Sequence, residues 1–200
     1  MKYLHSQSIL HRNLSPNNIF LDDSLHPKLS NFDFGEPQYV APEIWMRNEY
    51  SQSSDVYVFS LILYQILTNE KIFKNSSVNK IMNEVVNKKH RPSFSKSRIP
   101  NCYKKLIQLC WSEDPEKRPS FASIVNQMKT DSKFILNDAN AEEFKQYVSY
   151  IDEKTEESKE KITEVENENI NDKNTNVDID SNNFDVDFDF DSEIIESDFL

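Results

Sequence analysis

The side chains best suited to chemistry in this chain lie between residues 11 and 33. Residues 11–18 read HRNLSPNN, and Asn31 and Asp33 follow after a short apolar run and a polar turn. A carboxylate can accept a proton when its pKa is tuned, but the neutral amide of Asn13 cannot act as a general base. The amide oxygen of Asn31 can be offered to Mg²⁺, without the negative charge that this hard cation favours. The residues of this segment are therefore poorly suited to acid–base catalysis.

Residues 11–18 resemble the catalytic loop of protein kinases, H-R-D-L-x-x-x-N, at four of its five fixed positions. The resemblance places Asn13 where the family has the Asp that accepts the proton of the substrate hydroxyl. It places Ser15 where the family often has a Lys that offsets phosphate charge, and Asn18 where the family has its second metal ligand. The resemblance implies that the base and its electrostatic support are lost while Asn18 is kept.

Three later segments resemble other protein kinase landmarks, in the family's order. They are YVAPE at 39–43, DVYVFS at 55–60 and CWSEDPEKRP at 110–119. Together they imply that residues 1 to about 130 resemble the C-terminal lobe of a protein kinase, closest to the tyrosine-kinase-like group. The implied fold is mainly α, with a short β-hairpin.

The resemblance also assigns structural roles to three charged side chains. It implies that Asp55 holds the backbone of the catalytic loop, although a carboxylate at the start of a helix is the simpler reading of Asp55. It implies that Glu43 and Arg118 form a buried ion pair. A buried pair is weak evidence for stability, yet loss of one partner is costly. Both partners are present, so the architecture of the lobe is expected to be kept.

Hydrophobic patterns predict the elements that position these residues. Positions 56–67 are apolar on nearly every face, which predicts a buried helix capped by Ser53 or Ser54. Apolar residues from 121 to 128 recur at helical spacing behind Ser120, which predicts an amphipathic helix with Ser120 as its cap. Cys110 lies on an apolar helix face and is expected to be buried.

The segment that follows the hairpin permits two registers. By spacing from Asn18, the family's metal-binding D-F-G position holds residues 31–33, whereas a literal DFG stands at 33–35. The resemblance thus implies Asn31 in one register, or Asp33 in the other, as a candidate metal ligand. In the favoured register, residues 35–43 (GEPQYVAPE) resemble the family's G-T-P-x-Y-x-A-P-E run, and the activation loop before them is deleted. Glu36 then either puts a negative charge where the substrate hydroxyl and phosphate meet or is a solvated loop carboxylate.

Gly35 is the one glycine of the chain, so the chain contains no G-x-G-x-x-G phosphate loop. The family holds ATP between such a loop, a strand lysine and a helix glutamate, all in the N-terminal lobe. We therefore expect this chain to lack that lobe and to start in the helix before the catalytic loop. No cofactor is expected on this interpretation; ATP and Mg²⁺ are expected if the lobe exists upstream.

Charge and composition divide the chain. Of the 34 acidic and 23 basic side chains, 18 acidic and 4 basic ones lie in residues 151–200. We predict a kinase-like domain at 1–132, an amphipathic helical extension at 133–151 and a disordered acidic tail at 152–200. Apolar residues (Phe184, Val186, Phe188 and Phe190) alternate with Asp at 184–191, a pattern typical of disordered binding segments; a spacer without a partner is the alternative. Because the tail is strongly negative, it is not expected to bind nucleic acid or anionic membranes.

Three functions remain open. The first is a truncated, catalytically inactive kinase-like domain (a pseudokinase) with an interaction or scaffolding role in signalling, which binds a protein partner through the lobe or the acidic tail. The second is a protein kinase, Ser/Thr or tyrosine-kinase-like, with an incomplete N-terminus. The third is a degenerate gene fragment. Two cysteines without metal spacing, no signal peptide and no apolar run of membrane-spanning length predict a soluble cytoplasmic protein.

Overall fold

The computed structural model describes residues 1–32, 35–94, 99–136 and 139–154, which are mainly helical with one two-stranded antiparallel sheet. The helices are α1 (Lys2–Ser6), α2 (Pro42–Arg47), α3 (Gln52–Thr68), α4 (Val78–Met82), α5 (Asn101–Cys110) and α6 (Phe121–Thr130), and residues 141–154 are also helical. The strands are β1 (Ile19–Leu21) and β2 (Pro27–Leu29). Short 3-10 turns cover Pro16–Asn18, Pro37–Tyr39, Pro115–Lys117 and Ser132–Phe134, and a π turn covers Asn83–Asn87. The predicted mainly α lobe with a short hairpin is confirmed.

Helix α3 forms the centre of the core. Its residues from Ser54 to Tyr64 are buried with one half-buried exception, as its all-round apolar pattern predicts. The predicted cap at Ser53 or Ser54 is wrong, because the helix begins one turn earlier and is capped by Ser51. The Ser51 hydroxyl accepts the Ser54 amide at 3.3 Å, and the Ser54 hydroxyl accepts the Ser51 amide at 3.2 Å. Ser54 therefore serves as the second half of a capping box.

Helices α5 and α6 complete the core. The inward face of α5 carries Leu106, Ile107 and Cys110, all at 2% exposure or less, and α5 packs against α3. Burial raises the pKa of the Cys110 thiol to about 12, so Cys110 behaves as a small apolar group, as predicted. The predicted cap of α6 is confirmed, since the Ser120 hydroxyl accepts the Ser123 amide at 3.2 Å.

The hairpin leads the chain out of the catalytic-loop segment and back beside it. Strand β1 pairs with β2 in the register Ile19 to Leu29 and Leu21 to Pro27. The Ser30 amide then donates to the carbonyl of Asn18 at 3.1 Å, which extends the pairing by one step. The hairpin thus places the residues that follow Ser30 next to residues 11–18.

The contacts divide the chain into the units Met1–Val148 and Ser149–Leu200. In the first unit, the ring of Tyr147 stacks on His26 with 5.9 Å between centroids. In the second, the described residues are 149–154, where the Lys154 ammonium lies 6.0 Å from the centre of the Tyr150 ring. The acidic tail predicted at 152–200 lies outside the described residues beyond residue 154. Across the described ranges, no helix has the length and apolar character needed to cross a membrane.

Candidate functional site

The carboxylate of Asp55 holds the start of the catalytic-loop segment from the first turn of α3. One oxygen accepts the backbone amide of His11 at 2.9 Å, and the other accepts that of Arg12 at 3.0 Å. The first oxygen also lies 2.9 Å from Nε2 of His5. Asp55 is 2% exposed, so these are charge-assisted hydrogen bonds in a largely dry setting. The role that the resemblance implied for Asp55 is confirmed, and Asp55 also stands at the helix start.

Backbone geometry adds to this clamp. Arg12 has a φ of 63°, in the left-handed region that non-glycine residues rarely adopt. The segment at Gly35 approaches it closely, because a Cβ built at Gly35 would lie 3.1 Å from the Arg12 carbonyl oxygen. Such an unfavourable backbone conformation persists where the surroundings over-determine it. Asp55 in the first turn of α3 and Gly35 in the segment before the turn Pro37–Tyr39 hold Arg12 in this conformation.

His11 packs inside the fold. Its side chain is fully buried, and its ring stacks on Phe32 with 4.4 Å between centroids and 20° between planes. Burial lowers the pKa of His11, and the charge of Asp55 opposes this effect. Neither ring nitrogen has a hydrogen-bond partner within the described ranges. His11 is therefore a packing residue whose ring is neutral near pH 7, and Phe32 lies against the catalytic-loop segment.

The structure brings Asn13, Ser15 and Asn18 together around one buried turn. Asn13 is 5% exposed, and its backbone carbonyl accepts the side-chain amide of Asn18 at 2.7 Å. The Asn18 backbone amide donates to the carbonyl of Ser15 at 3.1 Å. The Ser15 hydroxyl is buried without a partner in the part of the chain that the structure describes. No carboxylate or ammonium group belongs to this trio, so it offers hydrogen bonds and no charge.

Of the three candidate metal ligands, the structure describes Asn18 and Asn31. The nitrogen of the Asn18 amide is committed to Asn13, which leaves one neutral oxygen to offer. Asn31 is exposed and has a φ of 57°, and Asp33 lies outside the described residues. Among the described residues, no group of three His, Cys, Asp or Glu side chains could hold a metal. Mg²⁺ favours carboxylate oxygens, and the two described candidate ligands, Asn18 and Asn31, are both neutral amides.

Glu36 lies in the wall of a cleft of about 420 Å³ beside the 3-10 turn Pro16–Asn18. Its carboxylate accepts the side-chain amide of Asn17 at 2.9 Å and that of Gln38. Next to it, the Tyr39 hydroxyl donates to the Gln65 side chain at 2.7 Å. Half-buried and doubly bonded, Glu36 is held at the cleft rather than freely solvated. The negative charge therefore sits at the cleft in a defined place.

The predicted ion pair between Glu43 and Arg118 is confirmed. The Arg118 guanidinium donates to both Glu43 oxygens at 2.6 and 2.9 Å, and the Ser54 hydroxyl donates to one of them at 3.0 Å. Burial alone would raise the pKa of Glu43, but hydrogen bonds and charge from Arg118 outweigh it and hold that pKa below its usual value. The pair joins α2 to the segment after the turn Pro115–Lys117.

Sequence reasoning missed Arg91. The centre of its guanidinium lies 5.2 Å from the centre of the buried Tyr57 ring, and that of Arg118 lies 5.1 Å from the same ring. Arg91 also pairs with Glu113 at 2.8 Å. Residue spacing carries no signal for this contact, because Arg91 and Tyr57 belong to segments 34 positions apart. The two guanidinium groups on one aromatic ring help to hold these segments together. Burial raises the pKa of the Tyr57 hydroxyl to about 12.

Comparison with known proteins agrees with this framework. The chain is 34% identical over 139 residues to the dual specificity protein kinase shkE of Dictyostelium discoideum, covering 60% of this chain and 19% of the relative. It is 33% identical over 139 residues to the serine/threonine/tyrosine-protein kinase HT1 of Arabidopsis thaliana, covering 62% and 35%. It is 33% identical over 173 residues to human receptor-interacting serine/threonine-protein kinase 3, covering 70% and 33%.

The chain thus spans about a third or less of the length of these relatives, so their printed activities belong to longer proteins. The family described as the protein kinase domain matches residues 1–128, well over half of the chain. That match covers the Asp55 clamp, the Glu43–Arg118 pair, helices α1 to α5 and all but the last two residues of α6. This chain belongs to the protein kinase domain family.

Proposed function

We propose that this chain is a kinase-like domain that transfers no phosphate and works through contacts with other proteins in signalling. One observation carries the proposal. Asn13, which stands at the position of the family's base, is a buried neutral amide beside the neutral Ser15 and Asn18. An amide cannot take a proton from a hydroxyl, and an uncharged turn does not stabilise a phosphoryl group in transfer.

A contrast between the residues that position the catalytic-loop segment and the residues that would react supports the proposal. The Asp55 clamp and the Glu43–Arg118 pair keep the carboxylates and cations that position the loop. The positions that would handle protons, phosphate and metal carry the uncharged Asn13, Ser15 and Asn31. A fold that keeps its supports without its reactive groups suits a binding role, since function resides in the site rather than in the fold.

The second candidate is a protein kinase, Ser/Thr or tyrosine-kinase-like, that uses ATP and Mg²⁺ with residues upstream of Met1. The retained Asn18 and the kinase names of the relatives favour it. The intact mass of the endogenous protein separates the two, because this chain has a mass of 23.5 kDa. A mass larger by a lobe would make nucleotide binding plausible and leave Asn13 as the objection to catalysis.

The direct test is phosphoryl transfer by the purified full chain. The wild type, Asn18→Ala and a matched surface variant, Asn126→Ala on α6, would be incubated with radiolabelled ATP, Mg²⁺ and a mixed set of Ser, Thr and Tyr peptides. We expect no transfer above background from any of the three. Transfer by the wild type and by Asn126→Ala that is lost in Asn18→Ala would overturn the proposal.

A fourth protein, Asn13→Asp, tests whether the missing base is by itself sufficient to explain the inactivity. Restoring the carboxylate is expected to leave the chain inactive, because Ser15 and Asn31 remain neutral. A cooperative thermal unfolding transition of the full chain, followed by circular dichroism, would exclude the degenerate-fragment alternative. A broad, non-cooperative change would support that alternative over an interaction role.

A further inference from the structure

A short wall, residues 71–75, separates two depressions just after α3. On one side lies a cavity of about 260 Å³, whose lining includes Tyr64 and His90. On the other side lies the cleft of about 420 Å³ beside Glu36. Residues 71–73 belong to the lining of both. Any movement of the wall would therefore change the size of both depressions at once.

Phe73 holds the wall in an unfavourable backbone conformation. Its φ of 46° lies in the left-handed region, where a bulky side chain is an outlier. Asn69 and Asn75 are left-handed as well, but asparagine tolerates that region. An outlier of this kind persists only where the contacts around it outweigh its cost. The contacts of Phe73 therefore decide how firmly the wall is held.

Apolar side chains hold the wall in place, rather than backbone hydrogen bonds to other segments. Within the described residues, the backbone amides of 71–75 donate no hydrogen bond to the backbone of another segment. The Ser76 amide donates to the Phe73 carbonyl at 3.0 Å, which closes the turn onto itself. The half-buried side chains of Ile72 and Phe73 pack against the core, and the Phe73 ring lies 6.5 Å from that of His90. Two apolar anchors thus oppose the strain at Phe73.

Arg12 provides a contrast, because it is left-handed but firmly held. Its amide donates to the buried Asp55 carboxylate at 3.0 Å, and Gly35 approaches its carbonyl closely. In the part of the chain that the structure describes, the Phe73 amide makes no comparable hydrogen bond. Segments with few hydrogen bonds and half-exposed contacts open at the lowest free-energy cost. The wall can therefore relax by breaking the contacts of its two anchors alone.

We propose that the wall is a gate between the cavity and the cleft. In the closed state, which is that of the structure, Phe73 is left-handed and its ring lies between the two depressions. In the open state, Phe73 leaves the left-handed region, its ring swings out, and the cavity and the cleft join into one groove. Loss of the Ile72 and Phe73 contacts is offset by relief of the backbone strain, so the two states lie close in free energy. The gate controls the extent of the cleft beside Glu36 whether or not the chain transfers phosphate.

The test follows the Phe73 ring in the full chain by fluorine nuclear magnetic resonance, with para-fluorophenylalanine as the label. The Phe73 signal is the one that disappears in Phe73→Leu. We expect it to show exchange between two states, and relaxation dispersion should give the same rate at the amides of His90 on the cavity side and Ile81 on the cleft side. A Phe73 signal without exchange, or exchange on one side only, would overturn the inference.

Two matched variants test the anchors. Ile72→Ala removes part of one anchor and should raise the open population about three- to tenfold, since half-burial of such a side chain contributes on the order of the free energy for that change. Ile66→Ala removes the same atoms from a side chain that is 72% exposed on α3, and should leave the population unchanged. Equal effects of the two substitutions, no effect of Ile72→Ala, or exchange that spreads along all of α3 would each contradict a gate. These measurements need no ATP, so failure here is distinguishable from failure of the proposed function.

Discussion

Arg118 forms two parallel hydrogen bonds with Glu43, which lies 75 positions earlier in the chain. Their side chains are 0% and 4% exposed. The guanidinium also donates to the backbone carbonyls of Ser53 and Ser112 at 3.0 and 2.9 Å. One side chain thus ties the start of α3 to the segments on either side of it. Because the pair is buried, each partner depends on the other for its charge balance.

Removing one member of this pair should destabilise the fold strongly. Arg118→Ala leaves the Glu43 carboxylate buried without its counter-charge, and we expect a loss of about 3–5 kcal/mol in the free energy of unfolding. Urea unfolding followed by circular dichroism measures it. Arg47→Ala removes the exposed pair with Glu49 and should cost less than about 1 kcal/mol. Equal effects of the two substitutions would contradict this prediction.

The same pair should contribute to acid denaturation. The pKa of Glu43 in the folded protein lies below its usual value of about 4.5. The unfolded chain therefore binds the proton more readily, and the stabilisation from the pair is complete above that value and lost as pH falls through the folded pKa. Unfolding free energies measured from pH 6 to pH 3 should fall more steeply for the wild type than for Glu43→Gln. Parallel curves would show that Glu43 is not coupled to folding.

Asp55→Asn should loosen residues 11 and 12 specifically. The new amide keeps one acceptor oxygen but points a donor at the second backbone amide, so we expect a cost of about 3 kcal/mol. Hydrogen exchange of the His11 and Arg12 amides should become at least about tenfold faster. Asp22→Asn is the matched control, because Asp22 accepts the amides of Ser24 and His26 in the hairpin turn. Unchanged protection at His11 in Asp55→Asn would refute the clamp.

His11 should destabilise the protein as pH falls below neutrality. Burial lowers the pKa of His11 in the folded state beneath its usual value of about 6.5, so the unfolded chain takes up the proton first. Stability should therefore be full above that value and decline as pH falls towards 5. His11→Phe keeps a ring on Phe32 and removes the titration, so its stability should decline less over pH 7 to 5. The two proteins would show the same slope if His11 were solvated.

Gly35→Ala tests the close approach between residue 35 and the catalytic-loop segment. The new methyl group would lie 3.1 Å from the Arg12 carbonyl oxygen, which is tighter than most such contacts. We expect a destabilisation of about 1–3 kcal/mol from overpacking, with altered nuclear magnetic resonance shifts at Arg12 and Asn13. Ala122→Val on the exposed face of α6 adds bulk where space is open and should leave those shifts unchanged. A stable Gly35→Ala protein with native shifts would argue against the contact.

Much of the fold could be predicted from the pattern of side chains within single segments of the sequence. The all-round apolar run of α3, the hairpin after Asn18 and the Ser120 cap of α6 follow from patterns within one element, and the structure contains them. The predicted N-cap of α3 is wrong, because the side chains of Ser51, Ser53 and Ser54 are all able to cap a helix. The choice among them depends on which serine pair closes a capping box.

The amino-acid sequence by itself determined which groups are uncharged in the catalytic-loop segment, since Asn13 and Ser15 carry no charge in any fold. The resemblance to protein kinases implied a supporting role for Asp55, but only the tertiary structure decided that its two oxygens accept the amides of His11 and Arg12. The cavity at Phe73 and the contact between Arg91 and Tyr57 likewise appear only in three dimensions. The physical reason is distance along the chain. Side-chain type is local, whereas burial, charge pairing and cavities depend on segments brought together by the core.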